Sequence, residues 1–438
     1  LCETKYSVAL NSGTSAIHLG LKILGVDKST EVIVPSLTFI ATVNPIIYLG
    51  AKPIIFDVDE NHNLKIEDVI NFLKKNSIFK NKKTINKKTK KIIKVIIVTH
   101  MWGRSCNFFN LKKICKKRNI SILEDAAEAV GSYIKKVKYQ HCGSIGDIGC
   151  LSFNANKIIT TGSGGAIITN NRTFYEKAQF LANQAKNDSF NYIHNECGYN
   201  YKMNGISAAL GISQLKRIDE FTQKRRNIAK QYDKAFAKFD TLINPLTQKY
   251  DSAYHIYIIK LNLSRLTKTR DEIFKILQFY GLGVNVHYKP IHLHSFYQTN
   301  FNTSIHQFPI AENIYKPIFL KKGQCSTKGT FDSFGLAVFD ECHHLGERKR
   351  WGECFALAFD QTVARLMTSG TPFRSDRQRL PWVRYYRNQI DLSPPHAYSY
   401  GYGLTKWNSK YCALGDQVVR DVVIKQWNGI VDFTVKQQ

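Results

Sequence analysis

At 438 residues with 43% apolar content, the chain has material for two or three domains with proper cores. Its formal net charge of +28 admits polyanionic partners, while ten cysteines with no CxxC and no regular spacing argue against a disulfide framework or a zinc site. No run approaches the eighteen apolar residues of a membrane span and no signal peptide opens the chain, so the expected setting is cytoplasmic, without a membrane partner.

The segment YSVALNSGTSAIHLGLKIL, residues 6–24, reads as strand, tight turn and an amphipathic helix starting near Thr14. Gly13, Thr14 and Ser15 would offer a phosphate free backbone N–H groups, two hydroxyls and the positive end of the helix dipole. Such turns are also ordinary helix starts. Residues 31–59 then read as strand, helix, strand, with Phe39 just past the first strand, either stacked on a planar ring or buried as a core aromatic.

Ten lysines fall between Lys74 and Lys94, among isoleucine and asparagine rather than interleaved aromatics. A solvated insertion from an AT-biased gene, between a helix and the strand 92–98, accounts for them better than a nucleic-acid surface does. VTHMWGRSCN places His100 and Trp102 after the apolar strand VIIV, with no assigned role. ISILEDAAEAVGS is a hydrophobic strand ending in Glu124 and Asp125, and LSFNANKIITTGSGGAI sets Lys157 between a short apolar strand and a glycine-rich turn. A lysine held there is expected to be desolvated, which lowers its pKa and frees its amine for Schiff-base chemistry. A lysine that forms an imine and an aspartate that holds a pyridinium nitrogen protonated are the minimal equipment for pyridoxal phosphate chemistry. A surface lysine beside a hairpin is the bland alternative. His292 and His294, and His343 and His344, lack a partner cluster, so no metal site is expected there.

Strands and helices alternate over residues 6–170, which calls for a mostly parallel sheet covered on both faces. Residues 171–240 read as long helices and 254–316 as a partial small domain. Thr14, Phe39, Asp125 and Ser152 all follow or end an expected strand, where cofactors collect in such sheets.

NSGTSAIHL, PSLTFIATVNP, LEDAAEAVGS, LSFNANKIITTGSGGAI and HNECGYNYKMNGISAALGISQL follow one another in order over roughly residues 1–316. Together they resemble the DegT/StrS-type sugar aminotransferases, fold type I pyridoxal phosphate enzymes with a three-layer αβα sandwich. Within that family the chain is similar to the branch acting on UDP- or GDP-linked 4-keto-6-deoxy sugars, which feeds legionaminic-acid-like and perosamine-like surface glycans. The resemblance implies that Lys157 is the Schiff-base lysine and general base, and that Asp125 pairs with the pyridine nitrogen. Glu128 would approach the phenolic oxygen, Phe39 would stack on the ring, and Thr14, Ser15 and Ser152 would hold the phosphate. Asn200 would reach the phosphate in a partner subunit, which implies a homodimer; glutamate is the implied amino donor. Lys202 stands where the family usually has arginine, keeping the charge and losing the fork. Lys157 also argues against the family's dehydratases, which carry histidine there. By the same resemblance the chain begins inside the enzyme's second element, and its small domain breaks off near residue 320 in KKGQCSTKGT, a junction-like stretch.

The composition changes there. Residues 1–330 carry 48 basic and 23 acidic side chains, whereas 331–438 carry 14 and 11, with arginine overtaking lysine. FGLAVFDECHHLGE and ARLMTSGTPFRSD resemble motifs II and III of superfamily 2 helicases. That resemblance gives Asp340 a Mg²⁺ through water, gives Glu341 the attacking water, and gives Thr368, Ser369 and Thr371 the coupling to nucleic acid. No Gly-Lys dipeptide occurs in the chain, so the phosphate-cradling loop is missing and Mg²⁺·ATP turnover is not expected. The expected domains are residues 1–240 (cofactor-binding), 241–325 (partial small domain and junction) and 326–438 (a RecA-like helicase fragment). The alternative reading is a nucleic-acid-binding ATPase relative carrying an inactive aminotransferase part.

Overall fold

A computed structural model describes residues 1–135, 139–187, 192–239, 243–245 and 252–315, with short strand segments at 318–321, 336–340, 364–368, 385–386 and 389–390. The first unit opens with β1 (Tyr6–Leu10), α1 (Gly13–Ile23), β2 (Thr30–Pro35), α2 (Asn44–Tyr48), β3 (Lys52–Phe56) and α3 (Ile66–Lys75). The hairpin β4 (Ser77–Lys80) and β5 (Lys83–Asn86) leads into β6 (Ile92–Thr99), α4 (Phe109–Arg118) and β7 (Ser121–Asp125). A small hairpin, β8 (Tyr133–Lys135) and β9 (Tyr139–His141), precedes β10 (Ile148–Ser152), β11 (Gly165–Thr169) and α5 (Arg172–Ala182).

The main sheet runs β1-β11-β10-β7-β6-β2-β3, with β11 antiparallel to both of its neighbours and the remaining pairs parallel. Strand alternation splits its apolar residues between two cores. Val32, Val34, Val95 and Ile97 pack under α1, α2 and α5, whereas Ile33, Ile96 and Val98 pack under α3 and α4. Helices therefore cover both faces, as the alternation of elements demands. A bulge between Glu31 and Val32 opposite β6 lets Ile93 pair with Glu31 and Val95 with Val32. The extra residue, Lys94, moves Ile93 onto the same face as Ile96.

The lysine-rich insertion lies between α3 and β6 as a hairpin that joins the sheet through Ile85 and Ile92. One local reading needs correction. The long helix expected after Asn204 breaks at Lys216–Arg217 into α6 (Gly205–Leu215) and α7 (Ile218–Phe236). Beyond them lie β12 (Ile243–Pro245), β13 (Ile258–Leu261), α8 (Arg270–Phe279), β14 (Val284–Asn285), α9 (Ser295–Phe301), α10 (Pro309–Tyr315) and β15 (Ile318–Lys321). Strand β13 pairs antiparallel with β12 and β15, in a sheet separate from the main one.

The chain divides into two units, residues 1–272 with 285–321, and residues 273–284 with 322–438. In the second, β16 (Leu336–Asp340) pairs parallel with β17 (Ala364–Thr368), bringing Asp340 into register with Thr368. Glu341, Ser369 and Thr371 lie outside the described residues, as does most of the junction after Lys321.

Candidate active site

The site assembles at the carboxyl ends of the parallel strands. Asp125, the last residue of β7, is in register with Thr99 of β6 and Cys150 of β10. Ser152 ends β10, and α1 begins directly above it. A Cβ on Gly13 would lie 2.8 Å from Ser152 Cβ, so only glycine lets the helix terminus approach this closely. Ser12 caps the helix by accepting the Ser15 N–H at 3.0 Å. Its hydroxyl also contacts the Ser15 hydroxyl at 2.8 Å, so Ser15 is buried and turned toward the cap, whereas Thr14 is half-buried. Ser12 was not singled out in the sequence, although serine immediately before a Gly-Thr helix start is a cap signature. Gly13→Ala should separate helix and strand and weaken phosphate holding, with pyridoxal phosphate affinity falling about tenfold in an absorbance titration. Unchanged affinity would remove this terminus from the phosphate site.

The adjacent carboxylates Glu124 and Asp125 point to opposite sides of β7 and do different work. Glu124 is fully buried and accepts the N–H groups of Gly143, Ile145 and Gly146 at 2.9, 2.6 and 2.5 Å. His100 Nε2 donates to it at 2.8 Å, while His100 Nδ1 accepts the Cys106 N–H, which fixes the neutral tautomer. His100 and Glu124 are thus structural. Asp125 turns to the other side, where Thr42 Oγ1 donates to it at 2.7 Å and the Ala127 N–H at 3.1 Å. Thr38 Oγ1 supports Thr42 at 2.7 Å. Burial raises the Asp125 pKa against these hydrogen bonds, which suits a carboxylate awaiting a cationic partner.

Lys157 sits in the connection between β10 and β11, and its Nζ lies 3.5 Å from Glu128 Oε1. The amine, on a side chain only 13% exposed, therefore faces a carboxylate. Glu128 accepts the Tyr288 hydroxyl at 2.6 Å and the Trp102 N–H at 2.8 Å, with His255 Nε2 3.9 Å away. The left-handed backbone of Trp102, φ 61°, aims that N–H. Burial pushes the Glu128 pKa up, but Lys157, His255, Tyr288 and Trp102 together bring it down to about 2. His255 is held neutral, its pKa lowered to about 3 chiefly by burial and then by Lys157. Phe39 is 51% exposed, with its ring 5.4 Å from that of Tyr288, so it stands over the site and is not a core aromatic. Asn200 is exposed beside the turn that precedes α1, where Asn11 donates to the Asn200 carbonyl at 3.1 Å and to the Tyr201 carbonyl at 2.8 Å.

Tyr288, His255 and Thr42 escaped the sequence reading because the first two come from the chain's later elements and threonine carries no motif of its own. An amine, a buried carboxylate at a strand end, an exposed aromatic and a glycine-opened helix terminus together form a donor set that fits pyridoxal phosphate.

The GDP-perosamine synthase of Escherichia coli O157:H7 is 34% identical over 316 residues, covering 71% of this chain and 79% of that protein. The UDP-4-amino-4,6-dideoxy-N-acetyl-beta-L-altrosamine transaminase of Campylobacter jejuni (strain 81-176) is 34% identical over 324 residues, covering 72% and 80%. Among solved structures, Helicobacter pylori PseC, an aminotransferase involved in the biosynthesis of pseudoaminic acid, superimposes with a TM-score of 0.63 at 29% identity, covering 73% and 81%. Residues 1–320 match the DegT/DnrJ/EryC1/StrS aminotransferase family, and the chain belongs to that family of pyridoxal phosphate-dependent aminotransferases.

Proposed function

We propose that the chain transfers an amino group from glutamate to a nucleotide-linked 4-keto-6-deoxy sugar for surface-glycan synthesis. The observation that carries this reading is Lys157 Nζ poised 3.5 Å from Glu128, on the same side of the sheet end as the Asp125–Thr42 pair. Pyridoxal phosphate supplies the electron sink and the carbonyl through which an amino group is exchanged. Lys157 Nζ takes and returns the proton at the amino-bearing carbon of the substrate. Glu128, fixed by Tyr288 and Trp102, holds that amine in place whenever it is protonated. Asp125 holds a proton on the ring nitrogen, and Phe39 covers the ring. Relatives acting on GDP- and UDP-linked sugars support the substrate class. The test is formation of 2-oxoglutarate from glutamate with GDP- and UDP-4-keto-6-deoxyhexoses. A protein that holds its cofactor but turns over none of them would refute the substrate class.

We also propose that the active form is a homodimer in which Asn200 reaches the partner's phosphate. The support is α6, an 11-residue helix with no buried residue that exposes Ile206, Leu210, Ile212 and Leu215. Ile206→Glu combined with Ile212→Glu should yield monomers in sedimentation velocity and cut activity at least about tenfold by undoing the shared site. A fully active monomer would remove both claims.

A second reading concerns residues 326–438 as a helicase-like fragment able to contact nucleic acid. Its support is the parallel β16–β17 pair with Asp340 opposite Thr368. Without a phosphate-cradling loop, this fragment should release no phosphate from Mg²⁺·ATP, with or without DNA or RNA. Stimulated turnover abolished by Glu341→Gln would instead establish a working ATPase.

A further inference from the structure

The lysine-rich hairpin lies far from the chemistry. β5 joins the sheet only at the first residue of β6, Ile92, whereas Asp125 is level with the last, Thr99. At about 3.3 Å per residue, the attachment point and the site level are separated by about 23 Å along β6. The hairpin therefore occupies the amino end of the parallel strands, opposite the substrate entrance, and charge placed there does not serve substrate capture.

The hairpin is firmly seated. Arg118 donates to Ser77 Oγ at 2.9 Å, Thr84 donates to the Arg118 carbonyl at 2.6 Å, and Asn119 donates to the Lys82 carbonyl at 2.8 Å. Asn86 also donates to Glu31 at 2.8 Å. The first three contacts come from the last turn of α4 and the residue after it, so hairpin and helix end form one surface. From Lys74 to Lys94 there is no acidic residue, and eight of the ten lysines are exposed, which leaves the positive charge undiluted. Lys116 and Lys117 at the end of α4 extend it. Helix dipoles account for Lys74, Lys75, Lys116 and Lys117 at their helix ends. They do not account for Lys80, Lys82 and Lys83 around the hairpin turn.

Nor does solvation account for the apolar residues carried with them. Ile78 and Phe79 are adjacent on β4 and thus point to opposite sides of the ribbon, yet they are 46% and 48% exposed. A ribbon that shows apolar side chains on both sides, ringed by lysine ammonium groups, matches a bilayer interface: the side chains enter the acyl boundary while the lysines meet headgroup phosphates. Nucleic acid would favour a row of stacking aromatics, and Phe79 is the single aromatic between Lys74 and Lys94.

We propose that this face, built from the hairpin and the end of α4, docks the protein on an anionic phospholipid surface and leaves the strand-end site facing away from it. Among the described residues no helix is long and apolar enough to cross a membrane, and docking requires none.

The test uses the full chain sedimented with vesicles of phosphatidylcholine alone or mixed with phosphatidylglycerol. Binding is expected to the anionic vesicles only, and to fall at least about tenfold in high salt, where the Debye length shrinks to about 3 Å. K80E/K82E/K83E should lose at least about tenfold in partition, and K87E/K88E/K90E, in the following loop, should do the same independently. I78S/F79S should weaken vesicle binding while leaving the salt dependence in place. The absorbance of bound cofactor should be the same in all three variants, because none touches the site. No binding to anionic vesicles, or binding untouched by both charge reversals, would overturn the proposal. So would tighter binding to single-stranded DNA than to vesicles, indifferent to I78S/F79S.

Discussion

Lys157→Ala should reduce turnover by about a thousandfold or more, because it deletes both the covalent anchor and the group that moves the substrate proton. Borohydride treatment of the native protein should fix the cofactor onto the peptide containing Lys157, and the variant should show no such adduct. A reducible adduct surviving in Lys157→Ala would place the anchor elsewhere. The same variant makes a second, independent prediction through Glu128. That carboxylate has a folded-state pKa of about 2, below the ordinary value, so it contributes stability above about pH 4.3, and this is lost as pH falls toward 2. Burial works against ionisation, and Lys157 is the largest of the opposing influences. Removing the lysine should therefore raise the Glu128 pKa and shrink its share of the acid-dependent loss of stability, while leaving a less well compensated buried charge at neutral pH. Thermal melts from pH 7 to pH 2 check both signs.

Asp125→Asn should bind the cofactor and lose about a hundredfold or more in half-transamination rate, because an amide cannot hold the ring nitrogen protonated. With the amide oxygen accepting the Ala127 N–H, the Thr42 hydroxyl can rotate to accept from the amide nitrogen, so the pocket should keep its shape. The effect should also carry a pH signature. Burial raises the Asp125 pKa, so protonation as pH falls removes the charge that attracts a cationic ring. Cofactor affinity in the native protein should weaken toward acid pH, and Asp125→Asn should flatten that dependence. An unchanged half-transamination rate would refute the electronic role; a native-like pH dependence in the variant would refute the linkage.

Much of the core of this enzyme can be read from order and type alone. Lysine after SFNAN and carboxylates at the end of ISILED name the chemistry, because few other residues do what it needs. Alternating apolar strands and amphipathic helices name the layers, since each element has one way to bury its face. The boundaries that slipped did so for local reasons. Ser12 caps α1, so the helix starts at Gly13, and the chain turns at Lys216–Arg217 into a second helix although the sequence between Gly205 and Phe236 has no proline to announce a break.

What the linear chain determined was therefore the kind of residues, their order and the two-sided sheet. Tertiary structure decided the surroundings of the two neighbouring carboxylates, because a strand sends Glu124 into a cage of N–H groups and Asp125 to the opposite side. It decided the charge state around Lys157, because Tyr288 and His255 reach Glu128 from 160 and 127 positions further along the chain, a distance no local pattern records. It also decided where the lysines lie, which in sequence are a compositional run. Only the pairing of β5 with the start of β6, and the seating of the hairpin on α4, collect them with Ile78 and Phe79 on the face opposite the active site.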